Sequence, residues 1–332
     1  MAYDPNVLRR ATQALEQRRR EHQLNKARLR TDAYARQPRL EELDRRLQGT
    51  MAQLVATALR RGEDPTRAVR GIKEENLALQ RERAGLLSQL GLEPDALDES
   101  PACPHCGDSG WRGTQMCSCL KQLYTREQIA ELSKLLDLGG QSFDTFRMDY
   151  YSTQPWGTGS RSPREQMQMI FSICRTYAER FGASPIKNLY LHGAPGLGKT
   201  FLSACIARAV SEQGRSVVYD TAGNIFAQFE DRKFQRGGDS QEARDETRRY
   251  LNCDLLILDD LGSELTTQFT QTALYEVVNT RLVAGRHTVI SSNLSLAEVA
   301  QRYSPQIASR IGGEYHELWF FGQDIRALKK QR

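Results

Sequence analysis

Gly193-Ala-Pro-Gly-Leu-Gly-Lys-Thr200 has the spacing G-x-x-x-x-G-K-[ST], and each residue type in it suits one task at a polyphosphate. Glycines let the backbone curl until consecutive N–H dipoles converge on phosphate oxygens. Lys199 adds a point charge at the β/γ-phosphates, and the Thr200 hydroxyl is a ligand for Mg2+. Taken alone, the eight residues also fit a glycine-rich turn with an incidental lysine, so their flanks decide. Asn188 to His192 is a short apolar run, and residues 201–210 carry apolar side chains at helical spacing. The loop therefore stands between a strand and a helix, as a phosphate cradle requires. The residues expected to touch a nucleoside triphosphate are Gly193, Pro195, Gly196, Leu197, Gly198, Lys199, Thr200 and Phe201.

Cys253-Asp-Leu-Leu-Ile-Leu-Asp-Asp260 is an apolar run ending in two carboxylates, the pattern of a buried parallel strand whose C-terminal end faces a ligand. Asp259 is expected to hold Mg2+ together with Thr200, directly or through water, and Asp260 to polarise the attacking water. Thr288-Val-Ile-Ser-Ser-Asn293 is a third strand ending in a polar residue, and Asn293 is expected near the γ-phosphate. Downstream, Ile307-Ala-Ser-Arg-Ile311 reads as a short helix carrying Arg310, the first choice for an arginine supplied across a subunit boundary; Arg281 is the second. Both are also compatible with an ordinary ion-paired arginine. Arg326, in Gly-Gln-Asp-Ile-Arg, is left between sensing nucleotide and touching a neighbouring subunit.

A second chemistry is written in Cys103-Pro-His-Cys106 and Cys117-Ser-Cys119. Four thiolates in C-x2-C-x10-C-x-C suit a tetrahedral Zn2+ site, with glycines 107, 110 and 113 making the tight connections of a knuckle too small for a core of its own. His105 is an alternative ligand, disfavoured by its place between two cysteines. Cys174, Cys205 and Cys253 lie in apolar contexts and read as small buried hydrophobes.

These groups need elements to hold them. The chain has 332 residues, enough for two or three domains, and a net charge of +5, which permits nucleic-acid contact without demanding it. No apolar stretch approaches the length of a membrane span and the start lacks a signal-peptide pattern, so a cytoplasmic protein without disulfides or membrane contact is expected. The first 40 residues carry ten Lys/Arg against four Asp/Glu, including Arg18-Arg-Arg20, without interleaved aromatic residues. That is either a phosphate contact or a solvated helix face, the latter favoured. Leu8, Leu15 and Leu29 recur at multiples of seven, followed by a stripe of Leu40, Leu43, Leu47, Met51, Leu54 and Leu59. Pro38 and Gly62-Glu-Asp-Pro65 separate these from a third helix with Val69, Ile72, Leu79, Leu86, Leu87 and Leu90. Arg232-Lys-Phe-Gln-Arg-Gly-Gly238, with Phe229, is either a mobile loop or a lining for a DNA channel.

The order of phosphate loop, Asp-Asp strand, Ser-Asn strand and Ser-Arg resembles the AAA+ ATPases. The stretch from Phe143-Asp-Thr-Phe-Arg-Met-Asp-Tyr-Tyr-Ser152 to the final Gly-Gln-Asp-Ile-Arg is similar to the bacterial replicative-helicase loaders of the DnaC/DnaI type. The resemblance covers most of residues 101–330 and implies an α/β AAA+ core, a parallel sheet flanked by helices with little or no lid, after an all-α bundle or coiled-coil hairpin and a zinc knuckle. Asp260 stands where many AAA+ members have Glu, as is usual among the loaders. The expected division is residues 1–100 for a helical partner-binding region, 101–121 for the cysteine module, 122–160 for a linker and 161–332 for the ATPase domain. The resemblance further implies ATP hydrolysis, self-association through the ATPase domain, binding of single-stranded DNA and docking of a DnaB-type ring helicase. Two other readings stand beside it: an IstB-like transposition helper ATPase, and a non-hydrolysing adaptor with ATP as a structural ligand.

Overall fold

The computed structural model describes residues 3–59, 65–134, 136, 140–157, 161–234 and 247–330, and for residues 51–59, 65–69 and 234 the backbone alone. Gly62, Arg236 and Gly238, and the side chains of Met51, Leu54, Leu59, Val69 and Phe234, therefore lie outside the described residues. The chain forms two compact units, one of Gln13–Cys119 and one of Met1–Thr12 with Leu120–Arg332.

In the first unit, α1 (Pro5–Arg36, counted here from Gln13), α2 (Pro38–Leu59) and α3 (Pro65–Gln89) follow the expected breaks. Pro38 and Pro65 each stand at a first helical position, where the missing N–H is no loss. Ala33, Leu40, Leu87 and Leu97 form the centre of this unit's core, with Leu29, Leu86 and Leu90 against it. Leu40 and Leu43 are fully buried and belong to the core, while Leu47, the other described leucine of the second stripe, is half-buried. Beside it Arg83 donates to Asp44 at 2.6 Å, to Asp98 at 2.7 Å and to the Pro94 carbonyl at 2.8 Å. The unit ends in a two-strand antiparallel hairpin, β1 (Trp111–Arg112) with β2 (Gln115–Met116).

The second unit is built on a five-stranded parallel sheet. In chain order its strands are β3 (Asn188–Gly193), β4 (Val217–Thr221), β5 (Leu255–Leu261), β6 (His287–Ser292) and β7 (His316–Phe320). In space the order is β4-β5-β6-β3-β7. Alternate residues feed opposite faces, as the strand period of two dictates. Leu189, Leu191, Val217, Leu255, Ile257 and Val289 face α5 (Pro163–Glu179) and α6 (Lys199–Glu212). Tyr190, Val218, Leu256, Leu258 and Ile290 face the core that α7 (Ala222–Phe234), α8 (Gln268–Val283), α9 (Leu296–Arg302) and α10 (Pro305–Glu314) close. Both faces are covered, which accounts for the unbroken apolar runs. A last short helix, α11 (Ile325–Lys330), follows β7.

The expected linker at 122–160 is not a linker where it is described. Helix α4 (Ser118–Leu132) runs into the second unit, and Leu132, Leu136 and Tyr151 are buried in the core under α5 and α6. The Gln128 amide, 1% exposed, donates to Ser211 Oγ and the Arg215 carbonyl and accepts from Val217 N, so it satisfies the backbone entering β4. The expected boundary near residue 100 moves as well. Asp4, 6% exposed, accepts from Asn6 N and Val7 N at the start of α1, receives Arg249 Nε at 2.6 Å, and its own N–H donates to Tyr124. These contacts fasten the first residues of α1 into the second unit.

Candidate functional site

The C-terminal ends of β3, β5 and β6 and the N-terminus of α6 enclose a cavity of about 760 Å3. Its lining includes Pro195, Gly196, Leu197, Gly198, Lys199, Thr200 and Phe201, then Asp259, Asp260 and Asn293, which brings the three motifs into one place. Gly193 does not line it. At φ 141° this glycine ends β3, and a Cβ there would collide with the Phe320 carbonyl of β7, so sheet packing explains its type. Gly196, at φ 78°, lies so close to the Asp324 carboxylate that a side chain would displace it. The Ile325 N–H donates to the Gly196 carbonyl at 3.0 Å, which seats α11 over the loop.

Lys199 is 8% exposed and donates to three neutral acceptors: the Gly193 carbonyl at 2.6 Å, the Ala194 carbonyl at 2.9 Å and Asn293 Oδ1 at 2.8 Å. Burial pulls its pKa from 10.5 down to about 8, with Asp259 and Asp260 opposing the shift and Arg326 reinforcing it. A buried ammonium with no carboxylate in contact is a place prepared for an anion. Asp259, 5% exposed, accepts from Thr200 Oγ1 at 3.2 Å and also from the hydroxyls of Tyr219 and Ser291. Asp260 sits at φ 57° where the register of β5 against β6 shifts between Leu258 and Leu261. This bulge breaks the strand alternation, so the first carboxylate turns inward while the second is exposed beside Asn293, whose Nδ2 is 3.5 Å from Asp260 Oδ1. A glycine cradle, an uncompensated lysine and a hydroxyl–carboxylate pair fit a nucleoside triphosphate with Mg2+. Thr200 and Asp259 are the residues that would hold the ion.

The other end of the cavity is lined by Gln141, Phe146, Arg147, Tyr150, Ile325 and Lys329, with Arg326 nearby. Sequence reasoning used the Phe143–Ser152 stretch for resemblance alone and gave it no place in the site. Its aromatic density was the available signal, since Phe146 packs on Phe201 at 5.4 Å and Tyr151 donates to the Leu197 carbonyl at 3.0 Å. Tyr219 and Ser291 were missed too, because their contact with Asp259 depends on strand register.

The two candidate fingers separate cleanly. Arg281 is fully buried, and its guanidinium donates to Thr288 Oγ1 and to the carbonyls of Tyr250, Cys253 and His287. It ties β5 and β6 to the segment before them and reaches no neighbour, which removes it as a finger. Arg310 is half-buried on α10, its guanidinium 5.5 Å from the Tyr275 ring centroid and outside the cavity of its own chain.

In the other unit the sulfur atoms of Cys103, Cys106, Cys117 and Cys119 all lie within 4.8 Å of one another. Cys103 and Cys117 are 3.8 Å apart, Cys106 and Cys119 3.5 Å. A tetrahedron of Zn–S bonds of about 2.3 Å has S–S edges of about 3.8 Å, so the set has the dimensions of a zinc site. The loop is braced by Asp108, which accepts from Cys103 N at 2.7 Å and Ala102 N at 3.0 Å. The Gly110 N–H points at Cys106 Sγ at 3.4 Å. His105 is exposed and outside the cluster. No described helix is long and apolar enough to cross a membrane.

Residues 183–310 match the family described as IstB-like ATP binding protein. The chain is 26% identical over 147 residues to the replicative helicase loader DnaC of Escherichia coli K12, covering 44% of this chain and 58% of that protein. It is 27% identical over 150 residues to the putative insertion sequence ATP-binding protein y4pL of Sinorhizobium fredii, covering 44% of this chain and 59% of that one. The match thus spans less than two thirds of either relative. The crystal structure of the DnaC helicase loader aligns at a TM-score of 0.44 and 21% identity, over 56% of this chain and 99% of that one.

Proposed function

We propose, from the IstB/DnaC-type AAA+ domain that residues 183–310 match, that this chain binds and hydrolyses ATP and uses the cycle to deliver a ring-shaped replicative helicase onto single-stranded DNA. The observation that carries the reading is the convergence of Lys199, Thr200, Asp259, Asp260 and Asn293 on one cavity. Lys199 exchanges its neutral acceptors for the β- and γ-phosphate oxygens. Asp260 accepts a hydrogen bond from the attacking water while the bond from the γ-phosphorus to the bridging oxygen breaks, and Asn293 orients that water. Thr200 and Asp259 would hold Mg2+, which would supply positive charge against that developing on the phosphates. Arg310 completes the site of the next subunit, which makes hydrolysis depend on self-association. The cysteine cluster holds Zn2+ as a structural ion.

Lys199→Ala removes measurable nucleotide binding, whereas Asp260→Asn binds ATP and turns it over about a hundredfold more slowly. Mixing Arg310→Ala with Asp260→Asn restores part of the activity, because one interface then combines an intact finger with an intact pocket. Unchanged ATP affinity in Lys199→Ala sinks the nucleotide reading. A static ATP-binding adaptor is the correct reading if the parent binds ATP and never turns it over.

The family match and y4pL favour a second reading, a transposition helper acting with a transposase on duplex DNA. The four-cysteine module and the separate helical unit favour the loader. Co-purification decides, since a ring helicase held through residues 13–119 supports the loader and a transposase excludes it.

A further inference from the structure

Asp259 receives more hydroxyl donors than a phosphate loop alone supplies. Thr200 accounts for one; Tyr219 and Ser291 come from the strands on either side of β5. Their approach follows from register. Tyr219 pairs with Ile257, and Ile257 with Val289, so Tyr219, Asp259 and Ser291 project from the same face of the sheet toward the start of α6. Tyr219 is 5% exposed and packs in the core under α5 and α6. A phenylalanine would fill that space, and a buried phenol keeps its place at no cost when its hydroxyl finds an acceptor. Here the acceptor is the Asp259 carboxylate.

A carboxylate offers about four lone-pair directions. Three are taken here by hydroxyls anchored on α6, β4 and β6, so rotation of the group is blocked from three sides. We propose that Tyr219, with Ser291, is a positioning residue that fixes Asp259 in the single orientation from which it and Thr200 hold the divalent cation accompanying a nucleotide. The inference rests on the nucleotide reading above and adds the edge strand β4 to the metal site.

The test is the affinity of full-length protein for a ribose-labelled fluorescent ADP, in saturating Mg2+ and in EDTA. In Tyr219→Phe the ratio of the two affinities falls about tenfold, the effect of loosening a ligand through its outer partner. Ser291→Ala gives a drop in the same direction, and Mn2+ followed by electron paramagnetic resonance in the ADP complex shows weaker ion binding in both variants. Thermal midpoints are recorded alongside, because a merely structural tyrosine would change stability and leave the ratio alone. A ratio within twofold of the parent in both variants overturns the inference while leaving the nucleotide reading intact. A parent that binds no labelled nucleotide in either condition overturns both.

Discussion

Lys199 and Arg83 are almost equally withdrawn from water, at 8% and 9% exposure, and their surroundings treat them in opposite ways. Around Arg83, burial pulls the pKa down but Asp44 and Asp98 outweigh it, and the net shift is upward. Around Lys199 the contacts are two carbonyls and an amide oxygen, and burial prevails. The helical unit has spent its buried cation on itself; the unit with the parallel sheet holds one in reserve. A buried charge with its counter-ions in the same unit is architecture, and a buried charge bonded to neutral groups beside a cavity is a binding site waiting for an anion.

The largest test of that contrast uses the cysteine module, whose four thiols are proposed to hold zinc. Structural zinc is worth on the order of 10 kcal/mol to such small modules. Chelation is expected to release hydrogen-exchange protection across residues 103–119 while the strands of the parallel sheet stay protected, because the cysteines lie in the Gln13–Cys119 unit. A metal-free protein with the same protection pattern would break the assignment.

Next in size, Arg83→Met takes the guanidinium from the nearly buried Asp44, while the half-exposed Asp98 falls back on water, and should cost about 3 kcal/mol in denaturant unfolding of the helical unit. ATP affinity should not change. Lys199→Ala is the mirror image: nucleotide binding is lost while stability moves little, since no buried carboxylate in contact loses its partner. Equal stability effects in the two variants would erase the comparison.

The smallest effect is the pH dependence. With the Lys199 pKa at about 8 in the nucleotide-free fold, the lysine is already protonated below that pH and ATP affinity is flat. Above it, binding must take up a proton, so affinity falls by up to about tenfold per pH unit. The stability of the nucleotide-free protein runs the other way. Between about 8 and 10.5 the unfolded chain binds more protons at this residue than the folded one, so raising the pH through that window favours folding. Isothermal calorimetry in buffers of different ionisation enthalpy reads the proton uptake directly.

Much of the site was legible because its parts are local. The phosphate loop is eight consecutive residues, and Asp259 and Asn293 each end an apolar run whose length is that of a strand. What escaped notice depends on pairs far apart in the chain. Tyr219 meets Asp259 across 40 residues, and Gln128 meets Val217 across 89. No periodicity records such partners. Arg281 looked like a finger because helical spacing cannot distinguish an exposed cation from one threaded among carbonyls. The stripe from Leu40 is apolar as its spacing indicates, but the pattern does not show that Leu40 itself is covered by Ala33, Leu87 and Leu97.

The capture of Asp4 by Arg249 sets a schedule for synthesis. Its partner lies 245 residues downstream, the difference between positions 4 and 249. At elongation rates of about 5–20 residues per second, roughly 12–50 s pass before that partner is made. The Gln13–Cys119 unit has all its residues well before then, whereas Asp4 waits through the interval for the guanidinium that pairs with it.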